Sequence, residues 1–133
     1  MKLTDEKLYE LCKEYGQKAR LWRQKFIGLL PEVNRRRLYE KKGFESIFVF
    51  AAKLAGLSQE QVRLALNLER RFFDKPALKS LLTEGEASLN KLTRIVSIAT
   101  QENEEALAVK VKQLSQAALE TLVHDEKQNG LAG

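Results

Sequence analysis

The stretch Ala52-Lys53-Leu54-Ala55-Gly56-Leu57-Ser58-Gln59-Glu60-Gln61-Val62 narrows the possible folds more than any other part of the chain. One helix must end and another must begin inside it. Gly56 can take the positive φ that closes a helix in a tight turn, because it has no Cβ to clash. Ser58 and Gln61 form a Ser-x-x-Gln capping box, which opens a helix by satisfying two of its free N–H groups. Ala52 is small enough for two helices to approach closely, and Val62 points back into the angle between them. The spacing predicts a helix-turn-helix over roughly Glu45 to Phe73. The second helix of such a unit is shaped to lie in the major groove of DNA, although helix corners in purely structural domains share the pattern.

The rest of the chain carries helical spacing too. Only Ile47-Phe48-Val49-Phe50 is ambiguous between helix and strand. A first helix is expected from Thr4, with Leu3 and Leu8 as a hydrophobic staple. Its apolar positions, Leu8, Cys12, Tyr15, Ala19, Trp22, Phe26 and Leu29, alternate steps of four and three in a heptad-like seam. Pro31 should end or bend this helix. A short helix from about Glu32 to Lys42 should stop at Gly43. Pro76 suits the first turn of a later helix that ends at Glu84-Gly85. Ser88, Thr100 and Ser115 read as caps of three more helices. The reading is an all-α fold of about seven helices. Its parts are a basic N-terminal arm, 1–43, a compact body, 44–127, and an aperiodic, mobile tail, 128–133.

Charge is polarised along the chain. Residues 1–44 hold twelve Lys/Arg against six Asp/Glu, whereas residues 76–133 hold six against eight. Such polarity suits a polyanionic partner, and equally a solvated surface. No stretch is apolar enough for a membrane span and no signal-peptide core is evident, so no membrane partner is expected. The single cysteine, Cys12, cannot form an internal disulfide and reads as a buried small hydrophobe. A reducing, cytoplasmic location follows as the expectation.

Candidate DNA-contacting residues fall into two groups. On the second helix of the corner, Val62, Ala65, Leu66 and either Phe72 or Phe73 should face inward. Gln59, Arg63 and Asn67, at i, i+4 and i+8, then share an outward stripe with Glu60 and Leu64. Arg forks onto guanine, and Asn or Gln pairs with adenine. The second group is basic: Arg35, Arg36, Arg37, Lys41 and Lys42, with Arg70 and Arg71 further on. These would grip phosphates, the main source of affinity for DNA. In the plainer alternative they are solvated, Arg70 or Arg71 pairing with Glu69 or Asp74. The seam of the first helix is either a homodimer stripe or a face packed on its own domain, with Trp22 and Phe26 as anchors.

No catalytic residue, metal ligand or cofactor is expected. His124-Asp125 near Ser115 lacks the geometry of a triad, because adjacent helical residues diverge. Glu102, Glu104 and Glu105 crowd a helix start, where they complement the macrodipole.

From Leu29 to about Glu126, some three quarters of the chain, the sequence resembles the helical domain that precedes the nuclease in many bacterial HNH endonuclease proteins. The residues that carry this are Leu30-Pro31-Glu32-Val33-Asn34-Arg35-Arg36, Gly43-Phe44-Glu45-Ser46-Ile47-Phe48 and Leu54-Ala55-Gly56-Leu57-Ser58. They continue through Glu84-Gly85, Ser88-Leu89, Thr100-Gln101-Glu102-Asn103 and Ser115…Glu120…Leu122-Val123. The stretch from Leu57 to Ala99 also resembles the helix-turn-helix region of ParB-type partition proteins. The histidine-rich nuclease unit has no counterpart here. The resemblance implies a non-catalytic, DNA-associated module that targets an attached or partner nuclease, or acts as a regulator. The competing reading is a protein-interaction or oligomerisation module without DNA binding.

Overall fold

The computed structural model describes residues 2–132, with side chains to residue 129. Among these residues it contains eight α-helices and no strand. They are α1 (Asp5–Arg36), α2 (Leu38–Lys41), α3 (Ile47–Ala55), α4 (Gln59–Arg71), α5 (Pro76–Thr83), α6 (Leu89–Ile95), α7 (Glu104–Gln113) and α8 (Gln116–Ala132). A 3₁₀ turn, Val96–Ile98, follows α6.

The starts expected at Thr4, Ser58, Ser88 and Ser115 are observed, and Ser46, which is not among the expected caps, opens α3. Thr4, Ser46, Ser58 and Ser88 each accept a hydrogen bond from the backbone N–H three residues on, and Ser115 does so from Ala118. The ambiguous run Ile47–Phe50 is therefore helical, opened by Ser46. Thr100 departs from expectation. It closes a turn with Asn103, exchanging bonds of 2.7 and 3.1 Å, and α7 starts only at Glu104. The expected tail continues α8 as far as Ala132, with Gly133 outside the described residues.

Pro31 does not end α1. The helix runs through it for 32 residues and stops at Arg37, whose backbone is left-handed at φ 51°. Proline removes one helical hydrogen bond and crowds the preceding carbonyl. Here Ile27, Gly28, Leu30 and Pro31 are all buried, so packing of this segment holds the helix across the defect. That segment lies against α3, α4 and α5.

The core is continuous and draws on every long helix, with Leu30, Ala51, Val62, Ala65, Phe72, Leu78, Leu92, Val111 and Leu119 fully enclosed. Two corrections concern the corner. Ala52 is exposed, and the small residue of α3 that is buried in the core is Ala51. On α4 the inward set is Val62, Ala65, Leu68 and Phe72. Leu64 and Leu66 are half-buried, and Phe73 is exposed.

A third correction concerns the carboxylates before α7. Glu104 is buried and accepts from Ala77 N and Leu78 N at 2.8 and 3.2 Å. It thereby caps α5. The residue at the N-cap position there, Lys75, has no acceptor to offer and makes no side-chain cap. Pro76 has no N–H, so Ala77 and Leu78 are the donors that need a partner. Glu104→Ala should cost about 1–2 kcal/mol through those orphaned donors, and Glu104→Gln should recover part of it. Urea unfolding of the two variants checks this; an unchanged midpoint for Glu104→Ala would remove Glu104 as the cap of α5.

Candidate nucleic-acid interface

The turn between α3 and α4 is built as its residues require. Gly56 sits at φ +66°, and its N–H donates to Ala52 O at 2.9 Å. Ser58 and Gln61 complete a reciprocal capping box, at 2.9 and 3.2 Å. With Val62, Ala65, Leu68 and Phe72 directed to the core, the opposite face of α4 is left to solvent. Gln59, Arg63 and Asn67 all lie on it and all are exposed.

Arg63 is partly pre-positioned. Its guanidinium is 5.4 Å from the ring centre of Phe48 on α3 and 3.5 Å from Gln59 Oε1. A cation over an aromatic face at an exposed site contributes about 0.5–1 kcal/mol. The stack therefore orients Arg63 while leaving it free to exchange partners.

The stripe continues into the basic residues. Arg70, one turn beyond Asn67, shares a small pocket of about 140 Å³ with Pro31, Asn34 and Arg35 of α1 and with Leu66 and Glu69. The fold thus sets the end of α1 beside the end of α4. Arg35 is held there by Glu69 at 2.9 Å and Glu32 at 3.3 Å. Arg36 is 3.8 Å from Glu32, and Arg37 pairs with Glu40. Lys79 also reaches Glu69, at 3.7 Å. Lys41, Lys42, Arg70 and Arg71 are exposed and make no ion pair among the described residues.

Arg70 and Arg71 therefore do not pair with Glu69 or Asp74. Glu69 is engaged by Arg35 and Lys79, and Asp74 by Lys75 at 2.9 Å. That hydrogen bond from Lys75 holds the Asp74 carboxyl below the usual carboxylate range. The convergence of the two helix ends gathers Arg35, Arg70 and Lys79 about Glu32 and Glu69, and Arg36, Arg37 and Arg71 follow directly in the chain, with Lys41 and Lys42 on the short α2. Phe48, Asn34 and Lys79 were not legible as part of this surface, because each joins across a helix–helix contact.

Apart from Phe26, the seam of the first helix does not pack on the body. Leu8, Tyr15, Trp22 and Leu29 are exposed, and of the seam only Phe26 is half-buried, stacked at 6.2 Å on Phe50. Cys12 is a free thiol on the surface, not a buried hydrophobe. His124 and Asp125 are exposed on α8. Among the described residues no group of three His, Cys, Asp or Glu side chains could hold a metal ion, and no helix is long and apolar enough to cross a membrane. No family model, curated protein or solved structure matches the chain.

Proposed function

We propose that the chain is a DNA-binding helical module. On this reading α3 and α4 act as a helix-turn-helix, with α4 entering the major groove. Gln59, Arg63 and Asn67 read base edges, and Arg70, Arg71, Arg35, Arg36, Arg37, Lys41 and Lys42 grip the flanking phosphates. The observation that carries it is the exposed polar stripe of α4 running into a basic patch made by two helix ends. The cations of α1 and α4 sit at helix C-termini, where the macrodipole favours them even without DNA. The resemblance to the domain preceding HNH nucleases supports a targeting role. The module is non-catalytic by itself, works in the cytoplasm, and brings an attached or partner nuclease to DNA or acts as a regulator.

Fluorescence anisotropy with duplex DNA at two salt concentrations tests this. Binding should weaken steeply with salt. Arg70→Ala with Arg71→Ala should lower affinity for every sequence and reduce the salt slope by about two phosphate contacts; Ala at Arg35, Arg36 and Arg37 should reduce it by up to about three. The Arg35 ion pairs are exposed at one partner or both, so their loss should change stability by only about 0–1 kcal/mol. Arg63→Ala or Asn67→Ala should change preference among sequences, by about 1–3 kcal/mol at a specific site. Absence of binding at low salt would favour the second reading, a protein-interaction module, which the bare apolar stripe of α1 supports.

A further inference from the structure

The N-terminal part of α1 makes few contacts with the rest of the molecule. From Lys2 to Arg23 every residue is exposed except Leu11 and Gly16, which are half-buried. The described packing of α1 lies beyond this, from Gln24 onward, apart from Arg20 and Arg23 at the rim of a pocket shared with α4 and α6. Most helical stability in proteins comes from packing of an apolar face, which this stretch does not make on its own body. Yet it carries large apolar side chains at one repeated position: Leu8 is 49% exposed, Tyr15 61%, Trp22 65% and Leu29 60%. Seven-residue spacing keeps these four on one side, and Cys12 and Ala19 lie between them as the small members of the seam. Tyr and Trp exposed together on such a line are typical of the centre of an interface.

Charge along the same helix selects the occupant and its direction. Asp5, Glu6, Glu10 and Glu14 stand against Lys7 and Lys13 in the first part, while Lys18, Arg20, Arg23 and Lys25 follow with no acidic residue among them. Two parallel copies would set Lys18, Arg23 and Lys25 beside their own equivalents, at the positions flanking the seam, where like charges repel. Two antiparallel copies instead set Arg23 beside Tyr9 and Lys25 beside Leu11 of the other, while Glu10 and Glu14 keep their own ion pairs with Lys13 and Lys18.

We propose that α1 pairs antiparallel with α1 of a second copy, centred near Gln17. In that register Tyr15 of one copy faces Ala19 of the other and Trp22 faces Cys12. Large side chains therefore meet small ones along the middle of the seam. The two helical bodies sit at opposite ends, each presenting its own α4. The pairing stands independently of DNA binding, since no seam residue belongs to the basic patch.

Sedimentation velocity of the 133-residue chain in reducing buffer should show a dimer, and Trp22→Asp should convert it to a monomer. Helical circular dichroism and the melting transition of the body should persist in that variant, because Trp22 is exposed. Oxidation distinguishes the orientation. Native Cys12 residues lie about 15 Å apart along the antiparallel pair, at 1.5 Å per residue, so the native chain should not form an intermolecular disulfide efficiently. Trp22→Cys sets a thiol opposite Cys12 and should cross-link. A monomer at all concentrations, or a dimer that Trp22→Asp leaves intact, overturns the proposal. So does ready cross-linking through native Cys12 alone, the mark of a parallel pair.

Discussion

Val62→Asp should abolish cooperative folding. Val62 is fully enclosed on the first turns of α4, where it joins the core around the Gly56 corner. A carboxylate there would be set inside the apolar cluster. Burying such a group unpaired costs several kcal/mol. A domain of this size has only about 5–15 kcal/mol of net stability, so the variant should lose its melting transition or shift it far down. Arg63→Ala, one residue on but exposed, should leave the transition within about 1 kcal/mol of the parent, the stack on Phe48 included. Thermal unfolding followed by circular dichroism decides it. An unchanged transition for Val62→Asp would mean that α3 and α4 do not pack as described.

Gly28→Ala should destabilise the protein by up to about 3 kcal/mol, against the usual sign of a glycine-to-alanine change in a helix. A Cβ at Gly28 would lie 2.6 Å from the carbonyl oxygens of both Leu82 and Thr83. These are backbone atoms at the end of α5 and cannot swing aside. Just beyond, Gly85 stands at φ +70° with its own absent Cβ aimed at the backbone of Lys25. The two glycines let α1 cross the end of α5 at backbone contact. Gly16→Ala is the internal comparison. It is in the same helix, and its nearest neighbour is the tip of Arg20 at 4.0 Å. It should stabilise by about 0.5–1 kcal/mol. Urea midpoints for the pair, of opposite sign, are the expected result; two stabilised variants would place α1 and α5 further apart than described.

Much of the local structure follows from residue chemistry acting over three or four positions. Ser58 with Gln61, Ser88, Ser115 and Pro76 each announce a helix start, because an unsatisfied N–H must be met by whatever lies nearest in the chain. Gly56 and Gly85 announce stops because a positive φ is open to them. Period alone marks Val62 and Ala65 as inward and Gln59, Arg63 and Asn67 as outward. From these the all-helical class, the corner and the exposed stripe of α4 were legible.

Tertiary structure decided the rest, wherever an interaction joins residues distant in sequence. Pro31 lies inside a helix because packing of Ile27 and Leu30 outweighs one lost hydrogen bond. Glu104 caps a helix 27 residues away, which no local rule contains. Ala51, not Ala52, is the small residue of α3 that enters the core, a one-residue rotation that periodicity does not resolve. The arginines of α1 are partnered by Glu32, Glu69 and Glu40, and Arg70 and Arg71 are left without such partners, because two helix ends converge. The seam of α1 reads the same in sequence whether it is buried or bare. Only the placement of the other helices, all gathered beyond Arg23, leaves Leu8, Tyr15 and Trp22 uncovered, since burial belongs to the assembled fold and not to any one segment.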